Sequence, residues 1–219
     1  MKKIITSIVT TLAIASGIAQ NGAVFEYKLS SKGESAGTNK VYVSDKGSRI
    51  ETSMPMTNGS SGLSFVNIVK KEKPSIMYKL NEKNKTYSKQ NISSDPNNNK
   101  QCDNCVVTIM GKEKVGNYNC THASIAKGPE VIEYWTTTEI ADFDKYSKDF
   151  SGSKYMGSGS DYGALVKKGA GGFVVKTYTK NGPTGDITME LVKFEKKDVA
   201  ATLFDIPADY KETNAAPMH

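Results

Sequence analysis

The sequence predicts a mostly β protein: a strongly curved antiparallel sheet with one or two short helices. Three observations carry this. Val106–Thr138 reads as three consecutive strands, divided by Gly116-Asn117 and by Lys127-Gly128-Pro129. Elsewhere, short runs that alternate apolar and polar residues recur between turn signals, giving about nine to eleven strands in all. Helical spacing first shows at Ile140–Phe150, where Ile140, Phe143, Tyr146 and Phe150 fall three or four apart. A flat sheet of that size leaves one face without cover, so the sheet is expected to curve or close.

Each element follows in chain order. Lys2 and Lys3 precede an apolar run, Ile4–Ala15, that is shorter than the roughly 20 residues a spanning helix needs. Gly17 and Ala19 are small residues at the −3 and −1 positions of a signal-peptidase site, which predicts cleavage after Ala19 and a periplasmic or secreted product. No cysteine lies near that site, so a soluble product rather than a lipoprotein is expected. The folded part is read as one domain over 20–212, with 213–219 as a tail.

Ala23–Leu29 opens the domain, with Phe25, Tyr27 and Leu29 on one side of a strand. Ser30–Asn39 is polar and reads as a turn region. Lys40–Ser44 and Ser48–Ser53 form a hairpin about Asp45-Lys46-Gly47. Met54-Pro55-Met56 breaks the pattern before the polar loop 57–62. Leu63–Lys70, Ser75–Leu80 and Lys85–Lys89 continue a meander. Asn91–Gln101 is the most polar loop. Ser151–Gly172 is rich in Gly and Ser and reads as a flexible flap; Phe173–Thr179 and Asp186–Phe194 are the last long strands, and Asp198–Phe204 suits one helical turn.

Charge and motifs narrow the function classes. The formal net charge is +6, falling to +4 without Lys2 and Lys3, and Arg49 is the sole arginine. Nucleic-acid binders gather arginines that fork onto phosphates, so a solvated basic surface is the better reading. There is no Gly-x-Ser-x-Gly elbow and no phosphate-cradling glycine loop, and His122 and His219 are the only histidines. The expectation is a protein that is not an enzyme and needs no cofactor.

The three cysteines of an exported chain suggest one disulfide and one spare thiol. Pairing Cys105 with Cys120 closes a loop of about 15 residues, worth ~3 kcal/mol in the chain-entropy picture, whereas pairing Cys102 with Cys105 gains little but is favoured by proximity. Both remain open at this point. Cys102, Cys105, Cys120 and His122 also form an alternative zinc or copper(I) ligand set. Met54, Met56, Phe65, Tyr78, Trp135, Tyr155 and Phe173 are the candidate lining of an apolar site, with Met54-Pro55-Met56 at its mouth. Tyr134 and Trp135 are neighbours on a strand and must point to opposite faces.

The series Val41–Ile50, Met77–Ser88, Val107–Cys120, Glu133–Thr137 and Leu203–Tyr210 resembles the LolA-like superfamily of envelope proteins. Within it, the chain resembles the family catalogued as domain of unknown function number 4412. The resemblance implies an incomplete barrel with helices on its concave side, a face that holds acyl chains in better-known relatives. It implies no catalytic residue. Three functions follow as expectations: a carrier of a lipid or acylated peptide, an envelope docking module with a filled core, and a Cys/His metal binder.

Overall fold

The computed structural model describes residues 21–55, 62–92, 105–140, 159–182 and 185–213. The cleavage site after Ala19, Met56, Cys102, Tyr155, the helix expected beyond Ile140 and the tail from residue 214 lie outside the described residues.

Among the described residues, twelve strands form one sheet that does not close. The first half is a meander of β1 (Gly22–Ser31), β2 (Glu34–Ser44), β3 (Gly47–Met54), β4 (Leu63–Lys70), β5 (Ile76–Asn81) and β6 (Thr86–Asn91). The second half comprises β7 (Val106–Val115), β8 (Tyr118–Lys127), β9 (Glu130–Thr137), the helix α1 (Gly159–Lys167), β10 (Phe173–Gly182) and β11 (Gly185–Lys197). A 3-10 turn (Ala201–Phe204) and the short β12 (Lys211–Glu212) finish the chain. The halves join where β1 pairs antiparallel with β11; β12 pairs parallel with β6, and β7 forms the far edge.

The sheet bends hard at the junction. β1 and β10 are two strands apart, which in a flat sheet separates them by roughly 9.6 Å. Yet the rings of Phe25 and Phe173 stack at 4.8 Å, and the Tyr27 hydroxyl donates to the Val174 carbonyl at 3.3 Å. Register breaks between Glu26 and Tyr27 and between Val174 and Lys176 mark bulges, the usual means of bending a strand.

Period-2 alternation then sorts the side chains. Phe25, Tyr27 and Leu29 meet Trp135, Phe173 and Val175 of the second half in the largest buried cluster. We call this side of β1–β4 the inner face. The opposite, outer face carries Val24, Ile68 and Tyr78, which pack against Val199 and Phe204 of the C-terminal segment. On the second half, α1 places Leu165 against Ala123, Ile125 and Tyr134. Tyr134 and Trp135 enter different clusters, as strand alternation requires.

Two expectations are corrected. Ser30–Asn39 is not a turn region: β1 runs to Ser31, Lys32-Gly33 turns the chain, and β2 starts at Glu34. Lys32 and Gly33 have φ of 52° and 84°, the paired positive values of a tight two-residue hairpin turn. Pairing with β1 along Glu34–Asn39 overrides the polar composition. The Ser151–Gly172 stretch is also not wholly a flap, because α1 lies within it and is anchored by Leu165. Gly169, at φ 78°, ends that helix in the left-handed conformation, and the Ala170 amide donates to the Leu165 carbonyl at 2.9 Å.

Candidate functional site on the inner face

Sheet register brings one patch of the inner face together. Tyr27, Asn39, Thr52 and Phe65 form one cross-strand row over β1–β4, and Phe25, Val41, Ile50, Asn67 and Lys79 form the next over β1–β5. Asn39 and Thr52 are direct cross-strand neighbours, and Asn67 is diagonal to Thr52. The three thus form a polar stripe across an otherwise apolar face.

Each stripe residue is almost wholly removed from solvent: Asn39 is 8 % exposed, Thr52 2 % and Asn67 3 %. Among the described residues, Asn39 Oδ1, Thr52 Oγ1 and Asn67 Nδ2 have no hydrogen-bond partner. Among the described residues, the Asn39 amide nitrogen meets the soft Met189 sulfur, at 3.9 Å. A buried polar group left unmet costs about 1–3 kcal/mol, so folded proteins seldom keep three side by side without a use. Met54 packs at the margin of the same cluster, and Phe65 is half-buried opposite Thr52. Methionines at Met54 and Met189 give the patch adaptable apolar neighbours.

The sequence-predicted lining is therefore divided. Met54 and Phe65 border the stripe, and Trp135 and Phe173 belong to the adjoining inner cluster. Tyr78 sits on the outer face, buried with Phe204, and does not join them. Asn39, Thr52 and Asn67 were missed. The visible signal was Asn67 itself, a lone amide in the apolar run Phe65-Val66-Asn67-Ile68-Val69.

Trp135 is enclosed by its own cross-strand partners. His122 stacks on it at 4.1 Å, Lys176 lies 4.5 Å above its ring, and its indole N–H donates to Glu113. The His122 Nε2 is 2.9 Å from Glu133, and its Nδ1 is 3.8 Å from Glu113. Two carboxylates on opposite edges of one imidazole orient the ring, but they do not converge on a point that could hold an ion.

Register separates two of the cysteines. Val106 pairs with Ala126, which sets Cys105 beside Lys127, seven residues along β8 from Cys120. At about 3.3 Å per residue that is roughly 23 Å, whereas bridged Cβ atoms lie about 3.8 Å apart. The Cys105–Cys120 bridge is therefore excluded. So is a metal site shared by Cys105, Cys120 and His122, and no metal-ligand cluster occurs among the described residues. Cys120 is a free, buried thiol whose pKa burial pushes up to about 11. Cys105 is not a titrating thiol.

Among the described residues, no helix is long and apolar enough to cross a membrane. No curated protein matches the chain. Among solved structures, PNGF-II aligns over 89% of this chain at 14% identity with a TM-score of 0.46, and the chain spans about a third (31%) of that protein. MucB in complex with MucA(peri) aligns over 87% of this chain and 56% of its own, at 8% identity and a TM-score of 0.44. A putative outer membrane lipoprotein-sorting protein domain from Vibrio parahaemolyticus aligns over 80% and 85%, at 10% identity and a TM-score of 0.28. None is near enough in sequence or shape to transfer a function. A family model described as a domain of unknown function (DUF4412) matches residues 23–210, from the second residue of β1 to the residue before β12. The chain therefore belongs to the DUF4412 family.

Proposed function

We propose that the chain is an exported, non-enzymatic binding protein that holds a hydrophobic ligand, a lipid or an acylated peptide, against the inner face of β1–β4. The observation that supports this most is the make-up of that face. Apolar side chains from both sheet halves gather there, adaptable methionines border them, and polar atoms are buried among them without partners. Burial of an acyl chain, at about 25 cal/mol per Å² of apolar surface, supplies the driving force. The test is a fluorescence titration of the purified protein with 1-N-phenylnaphthylamine, an apolar dye. Saturable binding that weakens several-fold on Phe65→Ala or Met54→Ala, and is unchanged on Val192→Ala at an exposed site of β11, supports the reading; no saturable binding refutes it.

A second reading rests on β7. This edge strand exposes Val106, Ile109 and Met110 in its first half, while Lys112, Glu113 and Lys114 guard its second. Uncharged edges recruit strands from other chains, and charged ones deter them. A docking role for this edge predicts that Ile109→Lys abolishes association with a partner while leaving dye binding intact.

A further inference from the structure

The unmet atoms of the polar stripe have a definite order across the strands. Asn39 offers an acceptor, Thr52 a hydroxyl able to act either way, and Asn67 a donor, each on a residue more than nine-tenths buried. Asn39 and Thr52 stand directly opposite one another, with Asn67 one diagonal step further. An amide group is the complement of this set: its N–H meets Asn39 Oδ1, and its C=O accepts from Thr52 Oγ1 and Asn67 Nδ2. An ester has no N–H for Asn39, and a carboxylate would face the Asn39 oxygen with an unfavourable charge. The Asn39 amide nitrogen faces the Met189 sulfur at 3.9 Å. The charged member of the neighbouring row is Lys79, opposite Asn67 and half-exposed.

From this placement we infer that the ligand of the inner face carries a neutral amide, as an N-acyl lipid or the acylated end of a peptide does. The stripe of Asn39, Thr52 and Asn67 reads that amide while the surrounding apolar side chains hold the tail. The inference rests on the ligand-binding reading above and adds the chemical class of the ligand.

The experiment displaces bound 1-N-phenylnaphthylamine from the purified protein with dodecanamide, methyl dodecanoate and dodecanoate, which share a tail and differ in head. Dodecanamide is expected to compete roughly fivefold or more better than the ester, the effect of one neutral hydrogen bond. Asn39→Leu is expected to erase that preference, because the amide N–H alone meets Asn39, whereas Thr52→Val and Asn67→Leu are expected to weaken amide and ester alike, each read relative to the variant's own dye affinity. Equal competition by amide and ester, or a preference that survives Asn39→Leu, overturns the amide inference and leaves the binding reading standing. A preference for dodecanoate that Lys79→Met removes overturns it in favour of an anionic head. Failure of the dye to bind removes the function reading and the inference with it. Thr52→Val is close in shape and has no partner to lose, so it should melt at or above the parent temperature. A clearly lower melting temperature shows that the hydroxyl is already engaged and also overturns the inference.

Discussion

The two faces of β1–β4 are built from the same strands and finished differently. On the outer face, the chain supplies its own cover. Val199 and Phe204 seal Val24, Ile68 and Tyr78, and the polar groups around them find partners. Arg49 pairs with Glu51 at 2.7 Å and donates to the Leu203 carbonyl at 3.2 Å. Lys70 meets Asp205, Lys85 meets Asp209, and Lys89 and Tyr87 both reach Glu212. On the inner face, three deeply buried side chains keep polar atoms unmet. Unmet polarity is thus not a general looseness of this sheet. Among the described residues, the unmet buried side-chain atoms, Gln90 Oε1 on β6 included, lie on the inner side of the sheet, as a surface kept for a partner molecule would require.

The comparison can be broken from either side, and the largest effect is expected at the outer seal. Phe204→Ala removes the aromatic side chain that closes it and should cost about 3–5 kcal/mol in urea unfolding. A loss under about 1 kcal/mol would mean that the C-terminal segment lies on the sheet without sealing it. Arg49→Ala should cost about 2 kcal/mol in the same assay, because it leaves the Leu203 carbonyl without its donor and Glu51 with only the Tyr42 hydroxyl at 3.4 Å. Thr52→Val on the inner face should do the reverse, leaving stability unchanged or raising it by up to about 1 kcal/mol, since no hydrogen bond is lost.

Thiol chemistry offers a further check on burial. With its pKa near 11 and its sulfur enclosed, Cys120 should not react with Ellman's reagent at pH 8 in the native protein. Unfolding should release one thiol per chain, because we propose that Cys102 and Cys105 form the disulfide. Three thiols would remove that pairing.

The smallest effect is at the sheet edge. Hydrogen bonds from Lys85 hold the Asp209 carboxyl below its ordinary value, and those from Lys89 and Tyr87 do so for Glu212. Groups with depressed pKa values contribute stability above the unfolded value and lose it as pH falls through the folded one. Acidification below about pH 4 should therefore loosen β12 first. Hydrogen exchange at Lys211 and Thr213, whose amides donate to Lys85 and Tyr87, reads this directly. Protection factors there that stay constant down to pH 2 would show that the carboxylates do not hold the strand.

Much of the fold was legible because alternation is a strong signal where one face is buried. β4 begins and ends at the expected residues, and the hairpins at Asp45-Lys46 and Gly116-Asn117 fall where turn chemistry put them. Glu34–Asn39 was hidden because a polar strand is held by its neighbours' ladder rather than by its own pattern. β12 is too short to show any period and exists through parallel pairing with β6. Of the candidate site, the residues read for their apolar character were visible, and Met54, Phe65, Trp135 and Phe173 do reach the inner side. The stripe was not. Asn39 and Thr52 are ordinary polar residues of their strands, and only the register of β2 on β3 sets them opposite each other. Tyr78 misled for the same reason: an aromatic residue in a strand announces burial, not the face it is buried on.

The most direct test of the central claim is native mass spectrometry of the protein expressed from the full sequence and purified without detergent or organic solvent, compared with the denatured mass. The account predicts a heterogeneous series of adducts at lipid or acyl-peptide masses, removed by organic extraction and depleted in the Asn67→Leu variant. A single bare mass, from protein that also fails to bind 1-N-phenylnaphthylamine, would contradict the account and leave the inner face as a closed core.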